Sequence, residues 1–124
     1  LLLFPLIEKY TGLSSNYSLN KKANNLNKDL PRMLNTVIRL DKVTGANNTL
    51  RYQYTIVNYD AKYMNENRID YIRNFVTKYS CKTLNDDIYF KNGVIFKYVY
   101  LGKLEKELIS LVITKDKCEK NKKL

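Results

Sequence analysis

The fold is decided by residues 36–56, which read TVIRLDKVTGANNTLRYQYTI. Apolar and polar side chains alternate in both halves of this stretch, and residues 44–48 between them contain one Gly and two Asn. Alternation with a period of two sends successive side chains to opposite faces of a strand, while Gly and Asn favour tight turns. The stretch therefore predicts a half-exposed β-hairpin with strands at about residues 34–44 and 49–59.

One helix is predicted on each side of this hairpin. Upstream, Ser18 is an N-cap candidate for a helix over residues 19–30, which Pro31 stops. Downstream, Asn65 is the N-cap candidate for a longer helix that ends at Cys81. Five side chains form the apolar stripe expected on this longer helix: Ile69, Ile72, Phe75, Val76 and Tyr79.

A second pair of alternating segments follows, at about residues 93–101 and 106–115. The element order α-β-β-α-β-β predicts an α+β fold. We expect a two-layer sandwich, in which two hairpins form a four-stranded antiparallel sheet with helices on one face. A single domain is expected over residues 18–118, with a lead segment at residues 1–17 and a charged tail at residues 119–124.

The composition limits the function. The 124 residues include 22 basic and 12 acidic side chains, and the net charge is +10. This balance favours acidic partners, although a lysine-rich solvated surface would produce it too. The chain has no His, which removes the usual general base, the Ser–His and Cys–His pairs and the common zinc ligand. We therefore expect no enzyme activity, no catalytic residues, no metal ion and no cofactor.

The two cysteines, Cys81 and Cys118, are too far apart for a C-x-x-C motif. They are either two separate buried thiols or one disulfide. Cys81 ends the longer helix and Cys118 follows the last strand, so the two could meet at one edge of the domain. A disulfide there would stabilise the fold by about 3–4 kcal/mol in the chain-entropy model. It would also indicate an oxidising compartment, such as the periplasm, the cell surface or the exterior.

Aromatic side chains recur on the strands: Tyr52, Tyr54, Phe96, Tyr98 and Tyr100. Aromatic and basic groups on one sheet face can hold single-stranded nucleic acid. Alternation, however, puts Arg51 and Lys97 on the face opposite the aromatics, which favours aromatics that line the core between sheet and helices. The exposed face then carries the candidate binding patch, formed by Arg39, Arg51, Gln53 and Lys97.

An apolar run, Leu1–Ile7, opens the sequence. It is too short to span a bilayer. It is either the remnant of a signal peptide's apolar segment, a trimmed edge, or a segment that packs on the domain. No other apolar stretch approaches about 18 residues, so no transmembrane helix is expected.

Several segments follow one another in a set layout along the sequence. They are Leu30-Pro31, residues 36–41, residues 50–54, the helix that ends at Cys81, residues 93–100 and finally Cys118. Over about residues 30–118 this layout resembles small bacterial envelope or secreted proteins of uncharacterised function. The resemblance implies an exported, disulfide-bonded α+β protein, and it transfers no catalytic residue.

Two functions are in competition. The favoured one is a non-enzymatic exported domain, periplasmic or secreted, that binds another protein, such as a secretion or envelope accessory factor, an inhibitor or an immunity protein. An acidic protein would suit the net charge. The alternative is a basic cytosolic module that binds nucleic acid. It predicts reduced thiols and an affinity that falls steeply with salt.

Overall fold

A computed structural model describes residues 12–122; the Leu1–Ile7 run therefore lies outside the described residues. The elements are α1 (Asn16–Asn27), β1 (Arg32–Met33), β2 (Ile38–Ala46), β3 (Thr49–Ile56), α2 (Glu66–Thr83), α3 (Ile88–Lys91), β4 (Ile95–Leu101), β5 (Glu107–Ile113) and α4 (Lys115–Lys122). In the described part of the chain the strands form one five-stranded sheet in the order β1-β2-β3-β4-β5.

The α+β class is confirmed, but the prediction of four antiparallel strands is wrong. Both predicted hairpins are present, since β2 pairs with β3 and β4 with β5 in antiparallel fashion. The hairpins themselves join through a parallel pairing of β3 with β4, because α2 carries the chain back across the sheet between them. The fifth strand is β1, a two-residue edge strand that pairs with β2. The sheet is therefore mixed.

Local chemistry sets the ends of these elements. The β2–β3 turn is Asn47-Asn48, and both residues adopt the left-handed conformation (φ 53° and 58°) that a two-residue hairpin turn requires. Helix α1 begins earlier than expected, because the hydroxyl of Ser15, rather than Ser18, caps it by accepting from the Ser18 N–H at 3.1 Å. Asn65 caps α2 as predicted, accepting from the Arg68 N–H at 3.0 Å.

The core lies between one face of the sheet and the helices α1 and α2. Its fully buried side chains come from both layers and from the loop before β4: Leu19, Val43, Leu50, Val94 and Ile113, with Phe96 almost as deep. Val99 is equally buried but lies on the opposite face of the sheet, beside Gln53. Helix α1 packs so closely on β2 that a Cβ atom on Gly45 would lie 2.3 Å from the Leu19 carbonyl oxygen. Because a Cβ has no room there, this contact requires glycine.

Helix α4 (Lys115–Lys122) was not predicted; it follows β5 and extends into the segment predicted as a charged tail, residues 119–124. Its buried residue is Cys118, which is bonded to Cys81 of α2. The side chain of Lys117 donates to the Val112 carbonyl at 2.7 Å, and Arg73 of α2 donates to the Ser110 carbonyl at 2.9 Å. Both acceptors belong to the edge strand β5, so these two side chains satisfy backbone groups that no strand pairs with.

Candidate functional site

The four residues of the predicted binding patch lie on one face of the sheet. Arg51 and Lys97 are register partners across β3 and β4. Gln53 follows two residues after Arg51, and Arg39 is opposite Thr55, so both share that face. This face, which lies opposite the one packed by α1 and α2, is termed the open sheet face. Its role in binding stays a prediction.

The polar groups of the open sheet face are partly occupied by one another. The Arg39 guanidinium Nε donates to Asp41 Oδ1 at 2.6 Å, and Thr55 Oγ1 donates to Asp41 Oδ2 at 2.5 Å. Arg51 Nη1 donates to Gln53 Oε1 at 3.3 Å. Two of the predicted binding residues, the arginines, thus have neighbours that take up part of their hydrogen-bonding capacity.

The strand aromatics lie on the opposite, core-facing side. Tyr52 stacks on Phe96 with ring centroids 5.9 Å apart, and Tyr54 stacks on Tyr100 at 4.9 Å. Burial raises the pKa of Tyr100 to about 12, and the neighbouring Tyr98 adds to that shift. Burial also raises the pKa values of Tyr52, Tyr54 and Tyr98 above their ordinary value. These rings fill space between the layers and do not form a stacking platform beside Arg51 and Lys97.

A groove runs between α2 and α4 and is lined in part by the disulfide. One part encloses about 590 Å³ and the next about 470 Å³, and the two parts share Lys78 and Asn121. We term it the basic groove, because cationic side chains line it along its length: Arg73, Lys78, Lys82, Lys117 and Lys122. Its remaining lining residues are Asn74, Thr77, Cys81, Asn85, Leu111, Cys118 and Asn121.

The floor of the basic groove is apolar and covalently fixed. Cys81 and Cys118 form the predicted disulfide, with an S–S distance of 2.03 Å and Cα atoms 5.3 Å apart. Cys118 and the adjoining Leu111 are only 5% and 4% exposed. The bridge ties α4 to α2, so it sets the separation of the two helices that form the groove walls.

An aromatic ladder flanks the basic groove on α2. Tyr71, Phe75 and Tyr79 are 71%, 60% and 62% exposed, and successive ring centroids lie 6.4 Å apart. The sequence placed Phe75 and Tyr79 in the buried stripe of this helix, which is wrong. The helix buries only a narrow stripe, because α2 packs over the edge of the sheet near β5. A spacing of four residues from Tyr71 to Phe75 to Tyr79 was the signal that marked a separate face.

Groups associated with metal binding or membrane insertion are not found among residues 12–122. No three His, Cys, Asp or Glu side chains in this range come together in a way that could hold a metal ion. None of the helices in this range combines the length and the apolar composition needed to cross a bilayer.

Three solved structures share the fold. A pilotin of the Vibrio vulnificus type 2 secretion system matches with a TM-score of 0.68 at 14% identity, and the match covers 90% of this chain and 96% of the pilotin. The pilotin of the Vibrio cholerae type II secretion system matches over 91% and 98%, with a TM-score of 0.61 at 13% identity. A Pseudomonas aeruginosa protein inferred to be secreted matches over 83% and 95%, with a TM-score of 0.66 at 19% identity.

The chain shares their fold. No protein-family model matches the sequence, and no curated protein matches it significantly. At these identities the likeness establishes architecture only. It confirms the predicted resemblance to small bacterial envelope and secreted α+β proteins, and the structure contains the one disulfide expected with it.

Proposed function

We propose that this chain is a non-enzymatic exported protein that serves an envelope secretion system by binding another protein. The observation that carries the proposal is the near-complete match to the Vibrio vulnificus pilotin, which covers 90% of this chain and 96% of that one. The match extends over most of both sequences, so we assign the proposed role to the shared fold.

The disulfide supports export. Disulfides persist in the periplasm and outside the cell and are rare in the cytosol, where thiols are kept reduced. Cys81 and Cys118 are bonded to each other and join α2 to α4, which is the state expected in an oxidising compartment. This also argues against the cytosolic nucleic-acid-binding alternative, as does the position of the strand aromatics away from Arg51 and Lys97.

The open sheet face is one candidate for the protein-binding surface. Arg51 and Lys97 lie side by side there and would attract an acidic partner. Changing both residues to Glu should weaken binding of the partner if this face is the interface. Unchanged binding by the R51E/K97E variant would remove the open sheet face from consideration.

The proposed role is tested by deleting the gene and measuring which proteins reach the culture medium. We expect the deletion to reduce export of secreted proteins and a plasmid-borne copy to restore it. In the same cells, thiol alkylation before lysis should leave Cys81 and Cys118 unmodified in the envelope or extracellular fraction. Normal secretion in the deletion strain, or reduced thiols on a cytosolic protein, would contradict the proposal.

A further inference from the structure

We propose that the basic groove binds an acidic amphipathic helix of the partner protein. This inference rests on the proposed protein-binding function and names the surface and the chemistry of the partner. It concerns the wall residues Arg73, Lys78 and Lys82 on α2 and Lys117 and Lys122 on α4, which face one another across an apolar floor.

The described lining of the groove is cationic without acidic side chains. Among residues 12–122, no carboxylate lines either of its two parts. Within residues 12–122 the one ion pair is Arg39–Asp41, on the open sheet face. Lys78, Lys82 and Lys122 make no hydrogen bond or ion pair with any described residue. At its Lys122 end the groove adjoins a further depression, with which it shares Asn85, Cys118 and Lys122, and this depression includes Asp86 and Glu119. The stretch without carboxylates therefore runs from Arg73 to Lys82 on α2. Cations on both walls would therefore attract a segment with carboxylates along both flanks.

The floor of the groove would provide the apolar contacts with the partner helix. Leu111 and the Cys81–Cys118 disulfide offer a surface that a charged or wholly polar ligand would not fill. A helix with one apolar stripe can place that stripe on the floor and its acidic flanks beside the wall lysines, which is the usual way a helix occupies a groove. The two parts of the groove adjoin at Lys78 and Asn121, so the groove is elongated, as a bound helix requires.

The hydrogen bonds along the outer edge of β5 favour a helix over an added strand as the ligand of the groove. A strand could pair there only if the outward-facing backbone N–H and carbonyl groups of β5 were free. The carbonyls of Ser110 and Val112 already accept from Arg73 at 2.9 Å and from Lys117 at 2.7 Å. An incoming strand would have to displace both cations, whereas a helix above them would leave the two hydrogen bonds intact.

The aromatic ladder extends the docking surface beyond the wall. Lys78 lies three residues after Phe75 on α2, and Lys82 three residues after Tyr79, so the lysine row borders the ladder. The exposed aromatic rings favour a protein interface, because aromatic side chains are enriched at such interfaces. A partner helix seated in the groove would cover the lysine row and reach the nearest rings.

The test is a titration of the full, disulfide-bonded chain, labelled with ¹⁵N, against a synthetic helical peptide. The peptide has about five helical turns, with Leu on one stripe and Glu elsewhere. We expect shift changes at the groove residues and an affinity that falls with added salt. The K78E/K82E/K122E variant should lose at least about tenfold in affinity, since three attractive contacts become repulsive. A matched control, K21E/K106E, changes two exposed lysines away from the groove and should bind as the parent does.

Three results would overturn the proposal. They are an equal affinity of the triple variant, shift changes confined to the open sheet face, and equal binding of a peptide with Lys in place of Glu. Binding of phosphatidylglycerol vesicles through the groove residues without binding of the peptide would replace the protein partner with a membrane surface. If the triple variant fails to give a folded spectrum, the single variant K82E takes its place, with a proportionally smaller loss expected.

Complementation of the deletion strain and the peptide titration distinguish a failure of this proposal from a failure of the proposed function. If the triple variant restores secretion to the deletion strain as well as the parent chain does, the groove is not the interface, and the secretion role stands. If the deletion has no effect on secretion, the secretion role fails, and the titration alone decides whether the groove binds acidic helices.

Discussion

The open sheet face and the basic groove both carry clustered positive charge, but they differ in what surrounds it. On the open sheet face, Asp41 compensates the charge of Arg39, and Gln53 accepts a hydrogen bond from Arg51. In the groove, Lys78, Lys82 and Lys122 lie around a partly buried disulfide. Among the described residues, the acidic side chains Asp86 and Glu119 occur only in the adjoining depression at the Lys122 end. Charge alone therefore does not distinguish a binding surface; charge around an apolar floor does.

The largest effect is expected from removing the floor of the groove. The C81S/C118S variant should lose about 3–4 kcal/mol of unfolding free energy, because the disulfide restricts the unfolded chain over a long loop. Urea denaturation of the variant and of the parent measures this. The control is the parent with reductant, which should unfold near the urea concentration of the variant. A variant as stable as the oxidised parent would mean that the bridge does not hold α4 in place.

A smaller loss of unfolding free energy is expected on the core-facing side of the sheet, termed the covered face, where it packs against α1. Gly45→Ala should cost about 2–3 kcal/mol, because the new methyl group would overlap the Leu19 carbonyl and force α1 away from β2. Thr44→Ala is the matched control: Thr44 is the adjacent residue, exposed on the other face of the same strand. Its thermal midpoint should stay near that of the parent. Equal losses for both variants would contradict the assignment of covered and open faces.

The burial of tyrosines on the covered face should also make the folding stability depend on pH above about pH 10. The pKa of Tyr100 is raised from 10.0 to about 12 in the folded chain, so the folded state keeps a proton that the unfolded state loses. This contribution to stability is complete below about pH 10 and is lost as the pH rises towards 12. We expect a loss of about 1–2 kcal/mol across that window.

The Tyr100→Phe variant isolates this contribution, since it has no proton to lose at this position. Its urea midpoint should fall less than that of the parent between pH 10 and 12. Tyrosinate absorbance should likewise rise later in the native protein than in the protein unfolded in guanidinium. Identical pH profiles for the parent and the variant would show that this ring is open to water.

The smallest effect is expected on the open sheet face. Asp41→Asn should cost about 0.5–1 kcal/mol, since its ion pair with Arg39 is partly solvated and such pairs contribute little. Lys42→Gln is the control: it changes an exposed neighbour by one charge and should stay within about 0.5 kcal/mol of the parent. A loss above about 2 kcal/mol for Asp41→Asn would mean that this network supports the fold rather than a solvated surface.

Much of the fold could be predicted from local sequence. The alternation in residues 36–56 and the pair Asn47-Asn48 specify the first hairpin, because both signals act within a few residues. The parallel pairing of β3 with β4 was missed, since strand alternation looks the same in either direction. The long helix between the two strands was the available signal, because a helical crossover joins parallel neighbours. Helix α4 was missed because only Cys118 of its residues is buried, which leaves no apolar stripe.

The candidate site could be predicted only in part. The shared face of Arg39, Arg51, Gln53 and Lys97 followed from alternation within strands. The basic groove did not, because its walls come from α2 and α4 and part of its floor from β5, which are brought together by the tertiary fold and the disulfide. The lysines of α4 resembled an ordinary solvated tail in the sequence.

The most direct test of the basic groove as the interface is photo-crosslinking in the native cell. A photoreactive amino acid is placed at Lys78 in the groove, at Lys97 on the open sheet face, or at Lys21 on α1, and crosslinked peptides are identified by mass spectrometry. We expect a crosslink from position 78 to an acidic amphipathic segment of an envelope protein, and none from position 21. Crosslinks from position 97 to that protein, with none from position 78, would contradict the account.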